Sequence, residues 1–134
     1  MASFFGNNYV GTILQNLFSG AYIALSTTAP TAAAGNITEP ASASGYARVA
    51  ASTGGMTVTG STITNGNYIY WPEATAGWGT VKYIVLTSAQ SAAITASNMR
   101  YAGEISPSGG VSVGANTVPL FRPGALSVSI TSGS

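Results

Sequence analysis

The chain has 134 residues and carries only three Glu, one Lys and three Arg, with no His, no Cys and no Asp. Charged residues make up 5% of it, whereas an ordinary soluble domain contains about 25%. General acid–base catalysis and metal sites draw on His, Cys and carboxylates. The composition therefore predicts a protein that is not an enzyme, with no catalytic residue, no metal site and no cofactor.

The charge balance also narrows the class of partner. The net charge is +1, and four dispersed cations cannot supply the clustered basic surface that binds nucleic acid. No stretch reaches the ~18 apolar residues of a membrane span, and no cation precedes the apolar N-terminal run as in a signal peptide. We therefore expect a soluble protein with no nucleic-acid or membrane partner. Because surface charge normally keeps a monomer dispersed, its scarcity predicts a homo-oligomer or larger assembly.

The first elements in chain order are a helix and its stop signal. Apolar residues recur at helical spacing over residues 4–18, and Gly20 is suited to end the helix. This predicts a helix or arm over residues 1–20 and a β domain over residues 21–134. The apolar face must pack either on that domain or on a neighbouring subunit, and its breadth favours the neighbour. The predicted interface residues are Phe4, Phe5, Tyr9, Ile13 and Leu17.

From Ala21 onward the apolar period changes to two, which is typical of strands. The run from Val81 to Leu86 is apolar on both faces except at Lys82, so it should be a central strand or lie under a cover. Short strands separated by turn signals predict an all-β fold, an antiparallel β-sandwich or jelly roll. The candidate strands cover residues 21–26, 46–51, 56–59, 67–71, 80–87, 99–105, 117–121 and 125–131.

Three segments, residues 30–45, 88–98 and 107–116, show no apolar period and are rich in small residues. A loop as long as the first is uncommon unless it is functional or disordered. Two interpretations stay open for it: a loose surface loop, or an ordered arm that reaches a neighbour. Gly109-Gly110 does not form a phosphate-binding loop, because no Lys follows.

Two sets of side chains are candidate sites. Arg48 lies on a predicted strand, and we expect it to pair with Glu39, since a partly buried Arg is costly without a carboxylate; the alternative is a solvated charge. The aromatic residues are more often core or interface, but they could also form a platform on which sugars stack. That possible glycan platform consists of Tyr68, Tyr70, Trp71 and Trp78.

Several short motifs, taken together and in order, resemble one protein family. These are YIALSTTAP over residues 22–30, TEP and GYAR over residues 38–40 and 45–48, WPEA and WGTV over residues 71–74 and 78–81, and GALSV over residues 124–128. The resemblance is to small bacteriophage virion proteins, often labelled tail fibre proteins, some of which look like capsid decoration or cement proteins. It covers residues 22–130, although Trp71 stands where the family has Phe.

The resemblance implies a structural virion protein, made in the host cytoplasm and located in the particle. The chain has no repeat and no coiled coil, which a fibre needs for reach. We therefore favour a capsid decoration (cement) protein on the capsid exterior, a homotrimer that binds the major capsid protein or other virion proteins. The alternative is a tail fibre or receptor-binding tip that recognises host glycans. A glycosidase would need two carboxylates about 5–10 Å apart, which three scattered Glu could supply only by coincidence.

Overall fold

The structure is a computed structural model that describes residues 7–105 and 110–129. It confirms an antiparallel all-β fold with one short N-terminal helix, α1 (Asn7–Phe18). The strands are β1 (Tyr22–Ser26), β2 (Val49–Ala50), β3 (Met56–Thr59), β4 (Thr62–Asn65), β5 (Ile69–Tyr70), β6 (Gly79–Val81), β7 (Tyr83–Thr87), β8 (Met99–Glu104), β9 (Val111–Val113), β10 (Leu120–Phe121) and β11 (Ser127–Ser129).

The helix packs on its own domain. Val10, Leu14 and Phe18 are buried at helical spacing and belong to the same core cluster as the strands, and α1 contacts β3 and β4. Beyond its last turn, Gly20 has a φ of +65°, a conformation that glycine adopts without steric cost. These contacts make α1 part of the core of the β domain.

An arginine from β8 holds the end of the helix in place. Arg100 Nη1 donates to the carbonyl oxygens of Asn16, Leu17 and Ser19, the closest at 2.6 Å. A cation at a helix C-terminus satisfies carbonyls that have no partner within the helix and complements the helix dipole. The attachment of α1 is therefore polar as well as apolar.

The predicted interface residues of the helix fall on its outer side or outside the described part of the chain. Tyr9 is exposed, and Ile13 and Leu17 are half-buried, with Leu17 packed against the core cluster. Phe4 and Phe5 lie outside the described residues. The most deeply buried positions are those next to the predicted ones, so the helix presents a different face to the domain than the one expected to meet a neighbour.

The largest sheet has the strand order β2-β1-β7-β8. Strand β7 is central, as its apolar sequence predicted, and it is buried on both faces together with β1. One face belongs to the core cluster through Ile23, Leu25, Ile84 and Leu86. On the opposite face, the paired residues Ala24 and Val85 are fully buried outside that cluster.

Two loops fold over this second face and are attached through its polar residues. Ser26 Oγ donates to the carbonyl oxygen of Thr28 and accepts from the N–H of Thr38. Thr87 Oγ1 donates to Asn98 Oδ1 and accepts from the N–H of Ala89. The segment after β1 is therefore an ordered loop attached to its own sheet rather than a loose one, and its contact with a neighbour stays a prediction.

The second sheet has the strand order β11-β4-β3. Val58, Ile63 and Val128 lie side by side in register across it, and all three pack in or against the core cluster. Strand β4 was not predicted, because Ile63 is its single large apolar residue. Strand β9 was also missed, since it lies inside a segment rich in Gly and Ser.

Two short ribbons complete the described fold, β5 paired with β10 and β6 paired with β9. The predicted strand 80–87 is split at Lys82, so that β6 pairs with β9 while β7 joins the large sheet. The prediction over residues 46–51 shortens to Val49–Ala50, which is followed by a 3₁₀ turn. The other predicted strands are present, with ends that differ by a few residues.

Candidate functional site

Glu39, Tyr46 and Arg48 form a hydrogen-bonded group that we call the charged clasp. Arg48 Nη2 lies 2.7 Å from Glu39 Oε2, and Arg48 Nε donates to Glu39 Oε1 at 2.9 Å. The Tyr46 hydroxyl donates to the same Oε1 at 2.6 Å and accepts from the N–H of Leu25 at 3.0 Å. Glu39 and Arg48 thus form the predicted ion pair. Tyr46, which was not predicted to take part, connects the pair to β1.

The clasp also joins the two loops that cover the large sheet. Arg48 Nη1 donates to the carbonyl oxygens of Ala89 and Ala92, at 2.8 and 2.7 Å, in the loop after β7. Glu39 belongs to the other loop, the one after β1. Because β1 lies between β2 and β7, the Arg48 side chain spans β1 to make these contacts. It therefore ties the segment that precedes the edge strand β2 to the loop that follows the central strand β7.

Burial and hydrogen bonding shift the pKa values of all three residues of the clasp. The Arg48 and Glu39 side chains are only 6% and 22% exposed. Burial alone would raise the pKa of Glu39, but hydrogen bonds from Arg48 and Tyr46 outweigh it and hold this pKa below its ordinary value. Burial and the bond to Glu39 raise the pKa of Tyr46, and the bond to Glu39 raises the pKa of Arg48. All three groups therefore keep one protonation state near neutral pH.

The clasp is where two of the sequence motifs meet. Tyr46 and Trp78 pack edge to face with ring centroids 5.4 Å apart. Trp78 Nε1 donates to the Ser44 carbonyl oxygen at 2.9 Å. Gly45, with φ of +87°, comes so close to the backbone that a Cβ there would lie 2.7 Å from the Glu73 carbonyl oxygen. The GYAR and WPEA–WGTV segments are therefore one packed unit, and its role is structural.

A broad groove of about 640 Å³ lies beside the clasp and is lined by Glu39, Tyr46, Arg48 and Gln90 among others. Its charged groups are already committed. Both oxygens of Glu39 and the Nε, Nη1 and Nη2 atoms of Arg48 take part in hydrogen bonds within the chain. A ligand that needed a free charge would have to break the clasp, so this groove is a weak candidate for a binding site.

The ribbon formed by β5 and β10 has one buried face. Ile69 is fully buried, Trp71 is 2% exposed, and Trp71 packs edge to face on Phe121 at 5.7 Å. The N–H of Trp71 donates to the carbonyl oxygen of Pro119, which extends the pairing beyond the ends of the two strands. This face fixes the ribbon on the core and determines which residues point outward.

The outward face of the same ribbon is apolar, and we call it the ribbon face. Leu120 lies directly opposite Tyr70, and strand alternation places Tyr68 and Val118 on their side. Tyr68 is 53% exposed and Tyr70 62% exposed, and both aliphatic residues are exposed as well. Polar side chains normally occupy the solvent side of such a ribbon. Grouped large apolar side chains there indicate a surface that another molecule covers.

The apolar surface continues past Leu120 into a small neighbouring groove. This groove, of about 60 Å³, is lined by Leu120, Trp71, Val81 and the exposed Val111, among others. Trp71 Nε1 is buried and has no hydrogen-bond partner among the described residues. Buried N–H groups are usually paired. The ribbon region therefore contains a buried hydrogen-bond donor without a partner among the described residues, whereas the charged groups of the clasp are hydrogen-bonded.

The predicted glycan platform is not assembled as one surface. Trp71 and Trp78 are 2% and 5% exposed, so neither indole offers its face to a sugar. Each packs instead on another aromatic ring of the core. Only Tyr68 and Tyr70 remain outside, and their neighbours on the ribbon face are aliphatic. The platform as predicted is wrong for the two Trp, because both indoles are buried in the core cluster.

The described residues offer little to catalysis or metal binding. Within residues 7–105 and 110–129, no group of three His, Cys, Asp or Glu could hold a metal ion. Glu39 is consumed by the clasp, whereas Glu73 and Glu104 are exposed. In the same part of the chain, no helix combines the length and apolar character that crossing a membrane requires.

Comparison with known protein families identifies the class of protein. A family model described as Podophage GP4 fiber I protein gp80 matches residues 7–129. The chain belongs to this family. The match runs from α1 to β11 and confirms the resemblance to small phage virion proteins that the motifs indicated. A structural role in the phage particle, in association with other virion components, follows from this membership. No curated protein matches the chain.

The sequence analysis did not identify Val118 and Leu120 as members of the ribbon face. The signal was present as the alternation of Val118, Pro119 and Leu120 opposite Tyr68 and Tyr70. It could not be interpreted alone, because the pairing of β10 with β5 decides which side of each strand faces the core.

Proposed function

We propose that this protein is an adhesive structural subunit of a phage fibre, and that its ribbon face docks it on another protein of the virion. The observation that carries the proposal is the outward group of Tyr68, Tyr70, Val118 and Leu120 on a ribbon whose other face is locked into the core. Rigidly held aromatic side chains bind at low entropic cost and are enriched in protein interfaces.

A protein partner fits this face better than a glycan does. A sugar-binding site needs hydrogen-bonding groups arranged around its stacking rings. Here the rings have Val118 and Leu120 beside them, and both Trp rings are buried. The four outward side chains carry no formal charge, and interface cores are depleted of charged residues. The receptor-binding alternative is therefore retained only as an outcome of the test.

One observation favours a fibre protein and another favours a capsid cement protein. The family description names a fibre, whereas the short chain without repeats favoured cement on the capsid exterior. A short module can belong to a fibre when many subunits or other proteins provide the length. We therefore place the chain in a fibre assembly, with adhesion by apolar contact as its mechanism in either location. The adhesive role needs no catalysis, and we propose that the protein is not an enzyme.

The test is incorporation of variants into phage particles. A double variant, Tyr70→Ser with Leu120→Ser, should fold normally because both side chains are exposed, yet it should be absent from purified virions. Gln15→Ser is the control, since it changes an exposed residue of α1 that is not among the predicted interface residues, and it should be incorporated like the wild type. Immunolabelling of wild-type particles should mark the fibres.

Three outcomes would contradict the proposal. Normal incorporation of the double variant would show that the ribbon face does not dock the protein. Label spread over the capsid would transfer the protein to the cement role. Incorporation with loss of host attachment would instead assign the ribbon face to receptor binding.

A further inference from the structure

Strand β8 is an outer strand of the large sheet and, among the described residues, has strand pairing on one side only. It spans Met99–Glu104 and pairs on one side with β7. The N–H of Ile105 donates to the Lys82 carbonyl oxygen. Ladder bonds alternate along a strand, so the backbone groups of Ala102 and Glu104 point away from β7. No described residue pairs with those groups, and natural proteins usually protect such edges.

The charges on this edge are arranged symmetrically. Arg100 and Glu104 are both exposed and lie two residues on either side of Ala102. Arg100 is the extra residue of an irregularity in the pairing with β7. Counted along the chain, an antiparallel pair of β8 strands centred on Ala102 places each Arg100 opposite the partner's Glu104. Opposite charges at such positions stabilise strand pairing, and like charges oppose it. This register is therefore the one in which both charges of each copy are matched.

Both charged groups retain the capacity for that contact. Arg100 uses Nη1 for the end of α1, which leaves Nε and Nη2 without an acceptor among the described residues. The Glu104 carboxylate likewise has no hydrogen bond to the described part of the chain. The pairing would add partners to these groups without breaking an existing contact.

The side chains between the charges suit the same register. Gly103 carries no side chain, and the ring of Tyr101 lies so close over it that a Cβ there would come within 2.9 Å. Opposite Gly103 the second strand would place the partner's Tyr101, beside the Tyr101 ring that already lies over Gly103 in the first copy. Tyr101 also lines a groove of about 200 Å³ between β8 and the residues around β11, so the two rings would extend an apolar surface.

We propose that a second copy of this chain pairs with β8 edge to edge, antiparallel and centred on Ala102, to form a two-fold dimer. The large sheets of two subunits then join into one continuous sheet. The contact is separate from the ribbon face and does not depend on the proposed docking function. It also differs from the trimer that the family resemblance implied, because an isologous contact of one edge with itself generates two-fold symmetry.

The first test blocks the edge without disturbing the ladder inside the subunit. Proline is tolerated on an edge strand where its missing N–H faces outward, so Ala102→Pro should fold and Ala102→Ser is the matched control. By sedimentation at micromolar concentration, wild type and Ala102→Ser should be dimers and Ala102→Pro a monomer. In hydrogen exchange, the amides of Ala102 and Glu104 should exchange at least about tenfold more slowly in the wild-type dimer than in a monomeric subunit, where no second strand pairs with this edge.

A charge exchange tests the register. Glu104→Arg alone places Arg opposite Arg, and Arg100→Glu alone places Glu opposite Glu, so each variant should self-associate about tenfold more weakly than wild type. Mixed together, the two variants should form a one-to-one dimer, because every facing pair is then opposite in charge. Glu104→Arg remains informative if Arg100→Glu unfolds through loss of its contact with α1, since it should still dissociate.

The proposal is overturned by any of three results. These are a wild-type monomer, an oligomer that Ala102→Pro leaves intact, and a wild-type dimer that Glu104→Arg does not weaken.

Discussion

The charged clasp and the ribbon face belong to one small β domain and differ in how they use their side chains. In the clasp, the charged atoms of Glu39 and Arg48 find partners within the chain. On the ribbon face, four large apolar side chains remain about half exposed to solvent, namely Tyr68, Tyr70, Val118 and Leu120. The same contrast separates the two tryptophans, because the Trp78 indole N–H donates to the Ser44 carbonyl oxygen while the Trp71 indole N–H has no acceptor among the described residues.

The difference teaches which region specifies the fold and which is available to a partner. The clasp concentrates scarce charges inside the protein, where they join two loops across a sheet. A domain with seven charged residues that commits two of them internally has few left for its surface. We therefore expect its external contacts to rely mainly on apolar and backbone groups, as proposed for the ribbon face and the β8 edge, where Arg100 and Glu104 add one charged pair.

The largest expected effect comes from breaking the clasp. Arg48→Met leaves the Glu39 carboxylate buried without its cation, and removal of one partner from a buried pair costs about 3 kcal/mol. We expect urea denaturation to report a loss of that size in the free energy of unfolding. Arg122→Met is the control, since the Arg122 side chain is exposed and should change stability by less than about 0.5 kcal/mol. Equal effects of the two variants would mean that the clasp is not a stabilising unit.

Acid should weaken the clasp by a smaller amount. The pKa of Glu39 lies below the ordinary value of 4.5 for this side chain, so around and below that pH the folded state binds fewer protons than the unfolded state. This contribution to stability is present above pH 4.5, and it is lost as the pH falls through the lowered pKa. Thermal unfolding from pH 7 to pH 2 should show the loss in wild type and a shallower dependence in Glu39→Gln. Identical slopes would assign the acid sensitivity to other carboxylates.

The smallest expected effect compares the two tryptophans. Both substitutions to Phe remove ring volume from the core, but Trp78→Phe also removes a hydrogen bond, whereas Trp71→Phe removes an indole N–H that has no partner among the described residues. We expect Trp78→Phe to be more destabilising by about 1 kcal/mol, the net value of one hydrogen bond. Chemical denaturation of both variants measures it. A larger loss for Trp71→Phe would indicate that its N–H has an acceptor in solution.

Much of the architecture could be predicted from the sequence. The period of α1 and the doubly apolar run of β7 follow directly from the apolar spacing. The pairing of Glu39 with Arg48 was expected from the scarcity of other charges, and both residues lie in the clasp. What could not be predicted was Tyr46 as the link between them, because the tyrosine hydroxyl replaces a strand partner only where β2 diverges from β1.

The rest depends on contacts that a linear pattern does not contain. Strand β4 has one large apolar residue, Ile63, between Thr residues, so its alternation is weak until β3 and β11 pair with it. The loop after β1 is poor in apolar residues, and Ser26 and Thr38 determine that it folds over the sheet. The ribbon face needed the register between Tyr70 and Leu120, which lie 50 positions apart in the sequence.

Chemical labelling of tyrosines in the free protein and in purified virions tests most directly whether the ribbon face is the surface through which the particle holds this subunit. Tyr68 and Tyr70 are exposed and should react in the free protein, whereas Tyr46 is buried and should stay unlabelled in both samples as an internal reference. We predict that Tyr68 and Tyr70 lose most of their reactivity in the virion. Equal labelling of these two residues in both samples would contradict the account.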